Sequence, residues 1–350
     1  MRNEPERLSS SDEIDLIELV QGAWRQKIWI AAVALPVLLI GIAYAKFASP
    51  VYEAKLFVQS PTQTDIAQLN YGRGGETGLS VISAKDVYDV YLRNLQSEAL
   101  RNRFFRTIYL PTLSEEERNG SRDALYSQFN TMLKVGVASK DMPSRYAITA
   151  NVEDPRQAAQ WVSAYAGMAA EAAKREILKG SKSEVMVKAD NLEQQIISAQ
   201  ATARKQREDQ IAQLKEALKV ARSIGLEKPP IIARDLTSEV TAGMDGSLSY
   251  MRGTKALEAE IANLEARPSD DPFIKGLRTK QARLNFYRDL RIEPSLIAVY
   301  QQDGGVEQPD KPIKPRKAII VLISLIVGLG LGVAVALVRD FLVRRNLRAQ

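Results

Sequence analysis

At 350 residues and 45% apolar side chains, the chain is long enough for one or two domains with a sizeable core. It has no cysteine and no histidine, which removes thiol nucleophiles, disulfides, imidazole bases and the usual soft-metal ligands. The net charge of +6 arises outside residues 48–310, where acidic and basic groups balance, so no broad basic face for nucleic acid is expected.

Residues 1–27 are net acidic. Ser10 to Glu13 fits a capping box, and Ile14, Leu16, Ile17, Leu19, Val20 and Trp24 form an apolar stripe behind it. A short helix on the cytoplasmic membrane surface is the expectation, with Trp24 and Trp29 near the headgroups. Ile28–Ala45 then runs 18 residues without a charge, close to the roughly 20 needed to cross hydrocarbon, and the first transmembrane helix is placed at 28–47. Ala43-Tyr44-Ala45 has the small-x-small form of a processing site, but the long acidic stretch before it favours a retained anchor.

Between the spans, residues 51–60 (VYEAKLFVQS) are β-rich, although Val51, Ala54 or Lys55, Phe57 and Val58 leave the buried face open. Residues 132–139 and 144–154 are two more strand candidates around the turn-like KDMP, and 294–302 (PSLIAVYQQ) is a fourth. AKDVYDVYLRNLQSEALRNRFF reads as one helix with Val87, Val90 or Tyr91, Leu95, Ala99 and Leu100 on a face. The preceding YGRGGETG lacks the Lys-Ser/Thr ending of a phosphate cradle and is expected to be a flexible loop.

Asp154-Pro155 supplies an N-cap and a first-turn proline for a long helix at about 155–223. Within it Val185, Ala189, Leu192, Ile196, Ala199 and Ala203 step like a coiled-coil seam. The polar RKQREDQ interrupts it, and Ile211, Leu214, Leu218 and Ala221 resume. GLEKPP at 225–230 ends the helix, and 231–250 reads as a distal loop. The chain returns through Ala256 or Leu257, Ile261 and Leu264, then Phe273, Leu277, Leu284 and Leu290, with Asp271-Pro272 repeating the capping pattern. Two arms packed as a hairpin are expected, with alanine-rich surface left for neighbouring subunits.

Pro309, Pro312 and Pro315 fall on a three-residue beat, the edge of a polyproline II spacer. The second transmembrane helix follows at 318–338, and Gly328, Gly330 and Gly332 give it a G-x-x-x-G packing notch for sister spans or a partner. Arg25 and Lys27 before the first span, and four arginines in the tail 339–350, place both termini in the cytoplasm and 48–317 outside it. Lys311, Lys314, Arg316 and Lys317 run against that bias. Adjacent acids such as Asp270 and Asp271 are explained by capping, and no catalytic, cofactor or metal residue is assigned.

These features, taken in order, resemble the Wzz family of O-antigen chain-length determinants, the class 1 polysaccharide co-polymerases. The resemblance is carried by DEIDLIELVQGAWRQK, YEAKLFV, EDPRQAAQWVSAYA, LKEALKVARSIGLEKP and the proline-rich approach to a glycine-rich span. It implies an α+β fold: a membrane-proximal α/β base with a long extended helical hairpin, flanked by two transmembrane helices. It also implies a homo-oligomer in the bacterial inner membrane that sets how many repeat units a Wzy-type polymerase adds to O-antigen polysaccharide or its lipid-linked precursor. No cofactor and no enzymatic activity are implied. Capsule-export relatives append a cytoplasmic kinase, for which the short tail leaves no room. The distal helix and loop, with Leu214, Leu218, Ile224, Gly225, Pro229 and Pro230, are the expected length-tuning region. The alternatives are a co-polymerase or export adaptor for another surface glycan, such as enterobacterial common antigen or capsule, and a periplasmic glycan-modifying enzyme.

Overall fold

The computed structural model describes residues 26–230, 246 and 248–347, with side chains as far as Arg339. The expected capping box at Ser10–Glu13, its apolar stripe through Trp24, and most of the distal loop lie outside the described residues. The chain forms two units: one comprises segments up to Pro61, Tyr91–Ala172 and from Tyr300, the other Thr62–Val90 and Ala173–Val299.

The first unit holds helix α1 (Lys27–Phe47), a four-stranded antiparallel sheet, and the last helix. Strand β1 (Tyr52–Gln59) pairs with β3 (Met142–Val152), which pairs with β2 (Leu133–Ser139); β4 (Gln301–Asp303) closes the other edge, giving the order β2-β3-β1-β4. Pairing resolves the face that the sequence leaves open: Ala54, Leu56 and Val58 are buried together with Ile148, Ala150 and Val152. Leu56 stands opposite Ile148, the period-two alternation that a half-covered sheet requires.

The expected KDMP break contracts to Lys140 and Asp141, because Met142 already pairs with Ser139 and Pro143 lies near the start of β3. The expected strand at 294–302 is also corrected. Pro294–Leu296 is a 3-10 turn with a missing donor at its first residue, and only Gln301–Asp303 joins the sheet.

The single expected helix at 84–105 is two. Helix α2 (Ala84–Leu95) stops before Ser97, whose side chain caps α3 (Glu98–Phe104) by accepting from Leu100 N. Val87, Tyr91, Leu95 and Leu100 are buried as expected, whereas Ala99 is exposed. Helix α4 (Arg122–Met132), capped by Ser121, adds Leu125 and Phe129. Helix α5 (Pro155–Ser223) begins with Asp154, whose carboxylate accepts from Arg156 N at 2.8 Å. Its first turns bury Trp161 and Tyr165, and the Phe104 ring meets both edge-on at 5.8 and 5.3 Å. Such aromatic pairs each contribute about 0.5–1.5 kcal/mol beyond burial. The buried Tyr165 hydroxyl donates to Leu95 O, which satisfies it.

In the second unit the seam of α5 is covered within the same chain. Leu214, Ala217, Leu218 and Ala221 pack with Leu257, Ile261 and Leu264 of α6 (Thr254–Ala266). Val185, Ala189, Leu192 and Ile196 pack with Leu277, Leu284 and Tyr287 of α7 (Leu277–Asp289). The polar interruption RKQREDQ leaves α5 unbroken. Arg207 turns inward there, donating to Arg267 O at 2.8 Å and pairing with Asp270 at 3.4 Å. The polar stretch of one arm thus faces the break in the other. Phe273, expected in the return stripe, is exposed beneath the Arg267 guanidinium at 3.8 Å. Asp271 accepts from Gln200 Nε2 instead of capping α7, which starts behind Gly276 in the left-handed region.

The YGRGGETG segment is a braced turn, not a flexible loop. Arg73, almost wholly buried, donates to Leu69 O and Ser80 O and pairs with Glu184 at 2.7 Å. Tyr287 Oη donates to Thr77 O, and Leu79 is buried among the lower seam residues. Gly72, at φ 70°, passes so close to Phe286 that a Cβ would lie 2.4 Å from its ring.

Candidate functional site

Helix α8 (Lys317–Leu347) contains the second apolar stretch, and α1 and α8 are both long and apolar enough to cross a membrane. They pack on each other through small residues. A Cβ on Gly328 would lie 3.1 Å from Ala34 Cα and O, and one on Gly332 would lie 2.8 Å from Ile30 O. At the other end Gly41 receives Ser324, whose Oγ would lie 2.0 Å from an added Cβ. Ser324, Gly328, Gly332 and the buried Ala336 therefore form one row at every fourth position, which lets the two backbones approach closely. Gly330 has no neighbour within 4 Å and is not part of the notch. The face expected to receive a sister span or partner is filled by the chain's own first helix. Where the helix pair ends, Arg339 stacks over the Trp29 ring at 4.2 Å.

Just beyond the opposite ends of the helices, the two connecting segments are joined. Val51 N donates to Lys314 O at 3.0 Å and Ile313 N to Val51 O at 2.8 Å. Further along, β4 pairs Asp303 with Phe57, while Arg145 both pairs with Asp303 at 2.7 Å and stacks over the Phe57 ring at 4.2 Å. The expected polyproline rod is corrected here. Pro309 and Pro312 flank bends at Asp310 and Lys311, the Lys314–Pro315 peptide is cis, and Ile313 and Lys314 are tied to Val51. Hydrogen bonds to the first strand and its approach, not a stiff three-residue beat, fix the path of the chain into α8.

At the far end of α5, Gly225 adopts φ 72° and closes the helix: Leu226 N donates to Ala221 O at 2.9 Å and Gly225 N to Arg222 O at 3.2 Å. This pair of bonds satisfies the last carbonyls as a left-handed glycine cap does. Thr254 N then donates to Leu226 O, and Arg222 pairs with Glu258 at 2.6 Å. Leu214 and Leu218, placed with the length-tuning residues, are buried against α6 and offer no surface to a neighbour. Ile224, Pro229 and Pro230 are exposed.

The Wzz family model, described as chain length determinant protein, matches residues 12–108, and a glycine-rich domain model named from tyrosine kinases matches 303–341. A chain length determinant protein of Escherichia coli O111:H- is 22% identical over 342 residues, covering 96% of this chain and 94% of the relative. The solved structure of a full-length bacterial polysaccharide co-polymerase superposes with a TM-score of 0.70 at 20% identity, covering 96% of this chain and all of that one. The chain thus carries a Wzz family match over residues 12–108, is similar to chain length determinant proteins along nearly its whole length, and has the fold of a polysaccharide co-polymerase. An enterobacterial common antigen polysaccharide chain length modulation protein of Salmonella typhimurium is as alike, at 23% identity over 95% of this chain and 96% of its own length.

The two matched stretches take in parts that the geometry joins: α1 and β1 in the first, Asp303 at the end of β4 and most of α8 in the second. Sequence reasoning found Gly328 and Gly332 but missed Ser324 and Ala336, although both continue the same four-residue spacing. It also missed Arg145 and Asp303, and it placed Val51 in a strand without its tie to Ile313 and Lys314. Nothing in their local sequence announces pairing between residues this far apart along the chain.

Proposed function

We propose that this protein is a two-pass inner-membrane regulator that sets the modal length of lipopolysaccharide O-antigen, acting as a homo-oligomeric scaffold beside a Wzy-type polymerase. In this reading residues 1–27 and 339–350 are cytoplasmic, 48–317 are periplasmic, and the chain supplies geometry without chemistry of its own. The observation that carries it is the likeness along nearly the whole chain, both spans included, to proteins named for chain length determination. The contact of Trp29 with Arg339 supports placing both termini on one side of the membrane, and the arginines of the tail favour the cytoplasmic side.

A second reading has its own support. The common-antigen relative is similar in identity and coverage, and in this reading the glycan served is the enterobacterial common antigen or a related surface polymer. Deleting the gene and resolving the surface glycans on a gel tests both. Loss of modal clustering in the lipopolysaccharide ladder supports the first reading, and the same change confined to common antigen supports the second. Loss of all polymer, or altered sugar composition, overturns the scaffold.

A further inference from the structure

Lys311, Lys314, Arg316 and Lys317 crowd the approach to α8, at the end where an excess of positive charge is not expected. All four are exposed, and among the described residues none of them is in an ion pair. Two of them, Lys314 and Arg316, line a cleft of about 510 Å³ between the ends of the two spans, together with Tyr44, Val51, Ile313 and Ile320 among others. No carboxylate lines it. Its floor is held in shape by the paired Val51 and Lys314 backbones.

The position decides the occupant. A cleft opening where two membrane helices end lies at headgroup depth, where apolar walls meet acyl chain and cations meet phosphate. A soluble anion has no use for walls made of Tyr44, Ile313 and Ile320. We propose that this cleft holds the phosphate head of an anionic membrane lipid. The site rests on both helices being membrane spans and is independent of which glycan the protein regulates.

Binding of fluorescent phosphatidylglycerol and of phosphatidylcholine to the full-length protein in neutral detergent tests it. A Lys314→Gln/Arg316→Gln variant should bind phosphatidylglycerol roughly 10- to 30-fold more weakly, two cations' share of headgroup attraction. A Lys134→Gln/Lys140→Gln variant, which loses the same charge from exposed positions on β2 and the turn after it, should match the unaltered protein. Equal binding of both lipids, equal losses in the two variants, or displacement of the lipid by excess inorganic phosphate would each overturn the proposal. Because no glycan is involved, these outcomes do not depend on the ladder experiment.

Discussion

Ile30 and Gly332 approach so closely that a Cβ on residue 332 would lie 2.8 Å from the Ile30 carbonyl oxygen. Backbone cannot yield there as a flexible side chain can. Gly332→Leu should therefore destabilise the pairing of α1 and α8 by about 1–3 kcal/mol, the usual cost of overpacking. Gly330→Leu, on a face with no neighbour within 4 Å, should be neutral. Thermal unfolding of the full-length protein in detergent distinguishes them, and equal behaviour would count against the notch.

The chain contains no cysteine, so an engineered pair reports without background. Ala34→Cys with Gly328→Cys should form an intramolecular disulfide under mild oxidation, seen as a mobility shift of the monomer band. Exclusive formation of crosslinked dimers would mean that this face meets a second chain.

Arg145 serves Asp303 and Phe57 together, yet both charged side chains are partly exposed. Coupling in a double-mutant cycle of Arg145→Ala and Asp303→Asn should come to about 0.2–1 kcal/mol and shrink in high salt. Arg145→Ala alone should cost more than Asp303→Asn, by the lost stacking on Phe57. Urea titration of the detergent-solubilised protein measures both.

Leu218→Ala and Ile224→Ala separate packing from display. Leu218 is buried against α6, so its truncation should cost about 2–5 kcal/mol. Ile224 is 58% exposed, and its truncation should leave the melting temperature nearly unchanged. A shift in the lipopolysaccharide ladder from Ile224→Ala at full stability would tie chain length to the exposed helix end; an unchanged ladder would remove Ile224 from the length-tuning residues.

Burial and a hydrogen bond to Glu98 push the Tyr126 phenol up to about 12. The protonated form is favoured in the folded chain. Its contribution is complete below the ordinary value of 10 and is lost as pH rises through about 12. Melting curves between those limits should fall more steeply for the unaltered protein than for Tyr126→Phe, and parallel curves would discount the contact.

What the sequence disclosed was whatever repeats. The apolar runs of the two spans, the seam Val185–Ile196 and the cap at Asp154 are periodic or local, and each was legible. Phe273 looked like a core residue because apolarity alone cannot tell a buried ring from one lying under Arg267. Asp271-Pro272 copied the pattern of Asp154-Pro155, but Gln200 from the opposite arm claimed the carboxylate. Arg73 was opaque for the same reason: its partner Glu184 lies 111 positions away. In the candidate site Gly328 and Gly332 were visible as a motif, whereas the partner helix that fills the notch was not.

The small-residue row on α8 also constrains how the protein is made. The mating surface of α1, with Ala34, Gly41 and Ala45, is synthesised first and must wait in lipid while some 270 residues follow before its complement emerges. Alanine and glycine tolerate that interval because they expose no polar side chain to hydrocarbon. The two crossings can then zip shut only once the second span has emerged, so the pairing of α1 with α8 waits on the synthesis of everything between them.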